Sequence, residues 1–207
     1  MHGEDYSLDK SRELENIEKV LKQLTSSPLY AYRVENGFHS VPGEGNPDAK
    51  ILFIGEAPGK NEAESGRPFV GRAGKDLDSL LQANGLNRDD VFITNIVKDR
   101  PPANRAPTRA EIMLYAPILI RQIKIIQPKI IATLGRFSME FILSHFDLPE
   151  KREKIGALHG RPMKVVASFG PLIVFPLYHP AAIFYNRKLE PELAEDFRKL
   201  VALVSMP

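Results

Sequence analysis

The sequence predicts an α/β protein, a three-layer α/β/α sandwich around a central, mainly parallel four-stranded sheet. Three observations carry this expectation. Four short apolar runs recur along the chain: Lys50-Ile-Leu-Phe-Ile54, Val91-Phe-Ile-Thr94, Lys129-Ile-Ile-Ala-Thr133 and Leu172-Ile-Val-Phe175. Each has the length and composition of a strand and lacks the alternation of a strand with one wet face, which places it inside a covered sheet. Segments with helical spacing separate the runs, and this alternation implies right-handed crossovers with helices on the sheet faces. Finally, 207 residues with 43% hydrophobic content suffice for one full core, so a single domain over residues 1–207 is expected.

The elements follow in order. Leu14, Ile17, Val20, Leu21 and Leu24 stand three and four apart, the stripe of an amphipathic helix over residues 8 to 24. A polar passage from Glu35 to Pro47 leads into the first strand. Leu77, Leu80 and Leu81 mark a helix after Gly74, and Ile112 to Ile126 and Phe137 to Phe146 mark two more. The Ile112 helix opens on Thr108-x-x-Glu111, a capping box whose two side chains satisfy orphan backbone donors. Pro117 is expected to bend it. A last helix runs from Glu190 to Val204 with Leu193, Phe197, Leu200, Val201 and Val204 on one face.

Composition excludes several classes. The longest apolar stretches fall far short of a membrane span, and Met1-His-Gly-Glu-Asp lacks the basic start and apolar run of a secretion signal. An intracellular, cytoplasmic protein acting as a monomer, away from membranes, is expected. The absence of cysteine removes disulfides, thiolate nucleophiles and thiolate metal sites together. A net charge of +2 is too small for bulk attraction to nucleic acid, so any such binding must come from local clusters of Lys and Arg.

In an open sheet of this kind, ligands bind at the carboxyl ends of the strands. Three polar loops converge there: Gly55-Glu-Ala-Pro-Gly59-Lys60 after the first strand, Asn95 with the segment to Arg109 after the second, and His179-Pro-Ala-Ala after the last. The first is no phosphate loop. That motif needs four residues between its glycines and Ser or Thr after the lysine, whereas here three residues intervene and Asn61 follows.

Taken with Gly66-Arg-Pro-Phe-Val-Gly-Arg-Ala-Gly74 and Thr94-Asn-Ile-Val-Lys-Asp-Arg-Pro-Pro-Ala-Asn-Arg-Ala-Pro107, these blocks resemble family-4 uracil-DNA glycosylases in order and spacing, over residues 24 to 200. The resemblance implies hydrolysis of the bond between uracil and deoxyribose in single- or double-stranded DNA, leaving an abasic site. Phe69 matches the aromatic residue that stacks on the flipped base, which needs a flat apolar partner once out of the helix. Asn95 matches the asparagine reading the uracil edge; its amide donates to O4 and accepts from N3–H, a pattern that cytosine presents reversed. Gly55, Ala57 and Gly59 belong to the same base-binding loop. His179 matches the histidine placed against O2, where negative charge develops as the bond breaks.

Glu56 and Glu62 match two family glutamates, and one of them is expected to stabilise the oxocarbenium-like sugar while water attacks C1′. Glu62 has a second reading, filling the space beside C5 and so excluding the methyl of thymine. Ala57 stands where the best-known uracil glycosylases carry a water-activating aspartate, so the mechanism should lean on leaving-group stabilisation. Arg72, Lys98, Arg100 and Arg105 are read as phosphate contacts, with Arg187 beside the loop after His179. Ile183, Phe184 or Tyr185 would be the wedge that fills the gap left by the extruded base. A glycosylase acting on a wider range of deaminated bases, and a non-catalytic nucleic-acid-binding relative, are the competing readings.

One departure stands out. The resemblance implies a four-iron, four-sulfur cluster held by four cysteines, and the matching positions here are Leu24, Ser27, Asp99 and Tyr115. No metal site and no cofactor are therefore expected. Packing of Leu24 with Tyr115, and a hydrogen bond between Ser27 and Asp99, are expected to hold the region instead.

Overall fold

The computed structural model describes residues 3–204, with side-chain environments from Asp9 onward. Two helices lead, α1 (Gly3–Lys22) and α2 (Tyr30–Glu35). A two-residue strand β1 (Glu44–Gly45) precedes β2 (Ile51–Gly55), α3 (Lys60–Ser65), α4 (Arg72–Ala83) and β3 (Phe92–Asn95). Then come α5 (Arg109–Ile126), β4 (Ile130–Leu134), α6 (Arg136–His145) and the short α7 (Ile155–Leu158). The chain closes with β5 (Met163–Ala167), β6 (Gly170–Leu177), α8 (Ala182–Tyr185) and α9 (Glu190–Val204).

The sheet has six strands in the order β1-β3-β2-β4-β6-β5. Its four middle strands are the four apolar runs, and they are parallel. The two additional strands pair antiparallel at the edges, β1 on β3 and β5 on β6. Neither has a continuous apolar run to announce it: β1 is two residues long, and Met163–Ala167 alternates because an edge strand has one face toward water.

Alternate residues of each middle strand feed opposite faces. Leu52, Ile54, Ile131 and Val174 join Ile17, Leu21, Tyr115, Leu119 and Met139 in one core layer, beneath α1, α5 and α6. Ile51, Phe53, Ile130 and Phe175 join Leu77, Leu81, Leu193, Phe197 and Leu200 in the other, beneath α4 and α9. The Thr108–Glu111 capping box forms as the spacing implies, and α5 continues through Pro117. No helix among the described residues is long and apolar enough to cross a membrane.

The positions assigned by resemblance to cluster ligands do come together, joined by side chains that bond one another. The Tyr115 hydroxyl donates to Asp99 Oδ2 at 2.6 Å and lies 2.7 Å from Ser27 Oγ. Ser27 and Asp99 are thus linked through Tyr115, not directly as expected. Arg33 completes the group: Nη1 donates to both Asp99 oxygens at 3.0 and 3.2 Å and to the Leu21 carbonyl, and Nη2 donates to the Lys22 carbonyl. Arg33, Asp99, Tyr115 and Ser27 are all buried, and the guanidinium caps the last carbonyls of α1, where positive charge is favoured. Leu24 packs against the adjoining core. Two hydroxyls, a carboxylate and an aliphatic chain, three of them already bonded to each other, do not fit an iron–sulfur cluster, which takes thiolates.

Candidate active site

The register of the parallel strands builds the site. Gly55 pairs with Asn95 at the ends of β2 and β3, and Leu134 pairs with Leu177 at the ends of β4 and β6, which brings Gly135 beside His179. A pocket of about 510 Å³ opens there, walled by Glu56, Gly59, Glu62, Phe69, Asn95 and His179, with Arg105 and Tyr185 also on its lining. Ala57 lines it too, and Gly55 lies under it, in contact with Asn95 and Phe69. Every residue read from the sequence as catalytic or base-binding therefore converges on one cavity.

Close packing fixes the floor. A Cβ at Gly55 would stand 2.3 Å from Asn95 Oδ1 and 2.7 Å from Phe69 Cζ, so only glycine lets both side chains lie where they do. The Asn95 side-chain oxygen is buried there without a hydrogen-bond partner. An unpaired buried acceptor costs about 1–3 kcal/mol, which a ligand bringing an N–H donor recovers.

Phe69 is held in the left-handed region, at φ 50°, by its neighbours. The Arg88 guanidinium donates to the carbonyls of Pro68 and Phe69, and is itself anchored by Glu44 and Asp78. From the other side, Glu62 Oε1 accepts the backbone N–H groups of Val70 at 2.9 Å and Gly71 at 2.7 Å. Gly74 allows the Phe69 carbonyl to approach within 1.8 Å of where a Cβ would sit. Arg88 was missed by sequence reasoning, since it lies nineteen residues from Phe69 in no motif.

The two glutamates thus differ. One oxygen of Glu62 is committed to the Phe69 loop, whereas Glu56 faces the pocket, and burial raises its pKa against a smaller opposing pull from Arg136. The geometry also defines the state of His179. The Ala181 backbone N–H donates to Nδ1 at 3.1 Å, so the ring proton resides on Nε2. Burial lowers the imidazole pKa to about 4, with a lesser opposing effect from Glu62, so the ring is neutral near pH 7 and retains one N–H donor. Its ring centroid lies 5.7 Å from that of Phe69.

The basic residues separate. Arg105 sits on the pocket lining and is paired with Glu111 at 2.6 Å, while Arg100 bonds the Asn104 side chain at 2.8 Å. The Arg72 guanidinium covers the Phe184 ring at 3.7 Å, and Arg187 is exposed beyond it. Lys98 is the exception. It is fully buried, with Nζ donating to Thr94 Oγ1, the Asn95 carbonyl and Gln122 Oε1, so it cannot reach a phosphate. Burial pushes its pKa well below the ordinary lysine value. Of the wedge candidates, Ile183 packs against the core and Phe184 lies under Arg72, whereas Tyr185 is 91% exposed at the pocket.

An α/β sheet with an aromatic, an amide and a neutral imidazole in one cavity at its strand ends defines an open-sheet protein whose ligand pocket can stack on and hydrogen-bond a flat heterocycle. The comparisons agree with that class. The sequence pattern of the uracil DNA glycosylase superfamily matches residues 42–202, and the chain belongs to this superfamily. It is 46% identical over 198 residues to a type-4 uracil-DNA glycosylase of Sulfurisphaera tokodaii, covering 94% of this chain and 87% of that one. It is 50% identical over 171 residues to the type-4 enzyme of Saccharolobus solfataricus, covering 82% and 78%. A type-4 enzyme of Archaeoglobus fulgidus is 44% identical over 188 residues, covering 90% and 92%.

Proposed function

We propose that this protein is a uracil-DNA glycosylase that hydrolyses the N-glycosidic bond of uracil flipped out of DNA, leaving an abasic site, and that it does so without an iron–sulfur cluster. The observation that carries the reading is the unpaired Asn95 Oδ1 at the wall of a pocket that also holds Phe69 and His179. Uracil brings an N3–H to that oxygen, whereas cytosine brings a lone pair and leaves it unsatisfied. Phe69 supplies the stacking surface.

In the reaction, the C1′–N1 bond breaks and its electron pair leaves with the base. The negative charge spreads onto O2, where the His179 Nε2–H donates a hydrogen bond that strengthens as charge develops. A neutral donor suits this task, since it stabilises the anion without having to give up its proton. Glu56 faces the sugar as a carboxylate, stabilises its positive charge, and accepts a proton from the water that adds to C1′. Glu62 holds the Phe69 loop and lines the cavity. In this reading Arg72, Arg100, Arg105 and Arg187 contact phosphates, and Tyr185 is the wedge.

The test is alkaline cleavage of single- and double-stranded oligonucleotides carrying uracil, thymine, hypoxanthine or xanthine, with the metal content of the same protein measured. Uracil-dependent cleavage by iron-free protein, abolished in Asn95→Ala and His179→Ala with DNA binding retained, is the expected result. Unchanged cleavage in both variants would sink the site, and activity only in iron-loaded protein would sink the cluster-free reading.

A further inference from the structure

Lys98 stands apart from the basic rim, and its surroundings say what it does. Its ammonium nitrogen is enclosed by three neutral oxygens: Thr94 Oγ1 at 2.6 Å, the Asn95 carbonyl at 2.7 Å and Gln122 Oε1 at 2.6 Å. All three must accept. The Thr94 hydroxyl spends its only proton on the Pro42 carbonyl at 2.8 Å, and the Gln122 amide nitrogen donates to that same carbonyl at 2.7 Å, which turns its oxygen toward Lys98. Three acceptors need three N–H donors, which lysine has only as an ammonium. A neutral amine would turn its lone pair on one of those oxygens. The side chain thus ties together the end of β3, the segment at Pro42 and α5, directly behind the residue whose amide faces the pocket.

We propose that Lys98 is a positioning residue for base recognition: by holding the Asn95 main-chain carbonyl from behind, it fixes the Asn95 amide against Gly55 in the orientation that uracil requires. This rests on the reading of Asn95 given above. The linkage is short. Nζ bonds the carbonyl of Asn95 itself, and the Asn95 side chain has no hydrogen bond to protein from Oδ1 to hold it otherwise. With the amide turned or displaced, the uracil edge meets the wrong partner, and misplacement by about 1 Å costs on the order of a hundredfold in rate.

Lys98→Met removes the three donors while keeping most of the side-chain length. The expected result is a fall of about 10- to 100-fold in single-turnover uracil excision, with affinity for uracil-free duplex unchanged within about threefold, because the residue touches no phosphate. Leu172→Ala, a core truncation at the opposite end of β6, is the stability-matched control, and it should lose melting temperature while retaining its rate. A Lys98→Met rate within about threefold of wild type, or a loss no larger than that of Leu172→Ala, overturns the proposal. If Lys98→Met does not fold, Thr94→Val and Gln122→Met each remove one acceptor, and unchanged excision by both overturns it equally. Wild-type protein that excises uracil, with Asn95→Ala inactive and Lys98→Met fully active, rejects the role of Lys98 and keeps that of Asn95. Wild-type protein that excises no uracil rejects both.

Discussion

Gly55→Ala places one methyl group at the floor of the pocket, and its consequence can be worked from distances. The new Cβ would lie 2.3 Å from Asn95 Oδ1 and 2.7 Å from Phe69 Cζ. Ordinary contact requires about 3.4 Å or more, so the amide and the ring must each retreat by roughly 1 Å. Asn95 has little room to do so, because its main-chain carbonyl is tied to Lys98. Phe69 is pinned through its carbonyl by Arg88. The strain costs about 1–3 kcal/mol of stability, and displacement of both base-contacting groups lowers the excision rate on the order of a hundredfold. The assay is single-turnover cleavage of a uracil-containing oligonucleotide, run beside a thermal melt. A rate within threefold of wild type, with an unchanged melting temperature, would refute the claim that Asn95 and Phe69 occupy these positions.

Arg33→Met leaves the Asp99 carboxylate buried beside Tyr115 alone and should cost about 3–5 kcal/mol; at about 2–4 °C per kcal/mol for a chain of this size, a calorimetric melt reads it directly. Tyr115→Phe, which takes one hydrogen bond from each of Ser27 and Asp99 while Leu29 and Arg33 still hold them, should cost about 1–3 kcal/mol in urea titration. Glu56→Gln should lower the excision rate about a hundredfold, whereas Glu62→Gln, whose amide oxygen still accepts from Val70 and Gly71, should lose far less; the reverse ranking in single-turnover assays would exchange their roles. His179 binds no proton in the fold until about pH 4, while the unfolded chain binds one below about 6.5. Its folded pKa is depressed, so stability falls with pH across that window, by up to ~3 kcal/mol at the acid end. His179→Gln should flatten this part of the stability profile measured in denaturant.

Much of the fold was legible because buried parallel strands write themselves as unbroken apolar runs, and all four such runs became the middle of the sheet. The edge strands left no such trace, since Glu44–Gly45 is too short and Met163–Ala167 faces water on one side. The pocket was legible because strand ends deliver loops to a common edge, so Gly55, Asn95 and His179 had to meet. What sequence could not show was which polar group is spent on the protein itself. A lysine among arginines in a loop motif looks like a phosphate contact, but Lys98 follows β3 into the interior and finds three oxygens there. Glu62 and Glu56 look alike until two backbone N–H groups are seen to occupy one of them. Arg88 carries no signal at all, because what it holds at the site are the main-chain carbonyls of Pro68 and Phe69, and every residue has a carbonyl.

The Arg33, Asp99, Tyr115 and Ser27 group also ties the pocket's rim to residues outside the superfamily pattern. The superfamily pattern starts at residue 42, yet two of the four members lie before it, and Asp99 immediately precedes the segment that brings Pro101, Asn104 and Arg105 to the pocket lining. A chain cut back to the pattern's boundary would keep every residue that lines the pocket while stripping the guanidinium from a buried carboxylate. The rim over the cavity is therefore suspended from the amino-terminal helices, and a shortened protein would forfeit the shape of that rim before it lost any residue of the pocket floor.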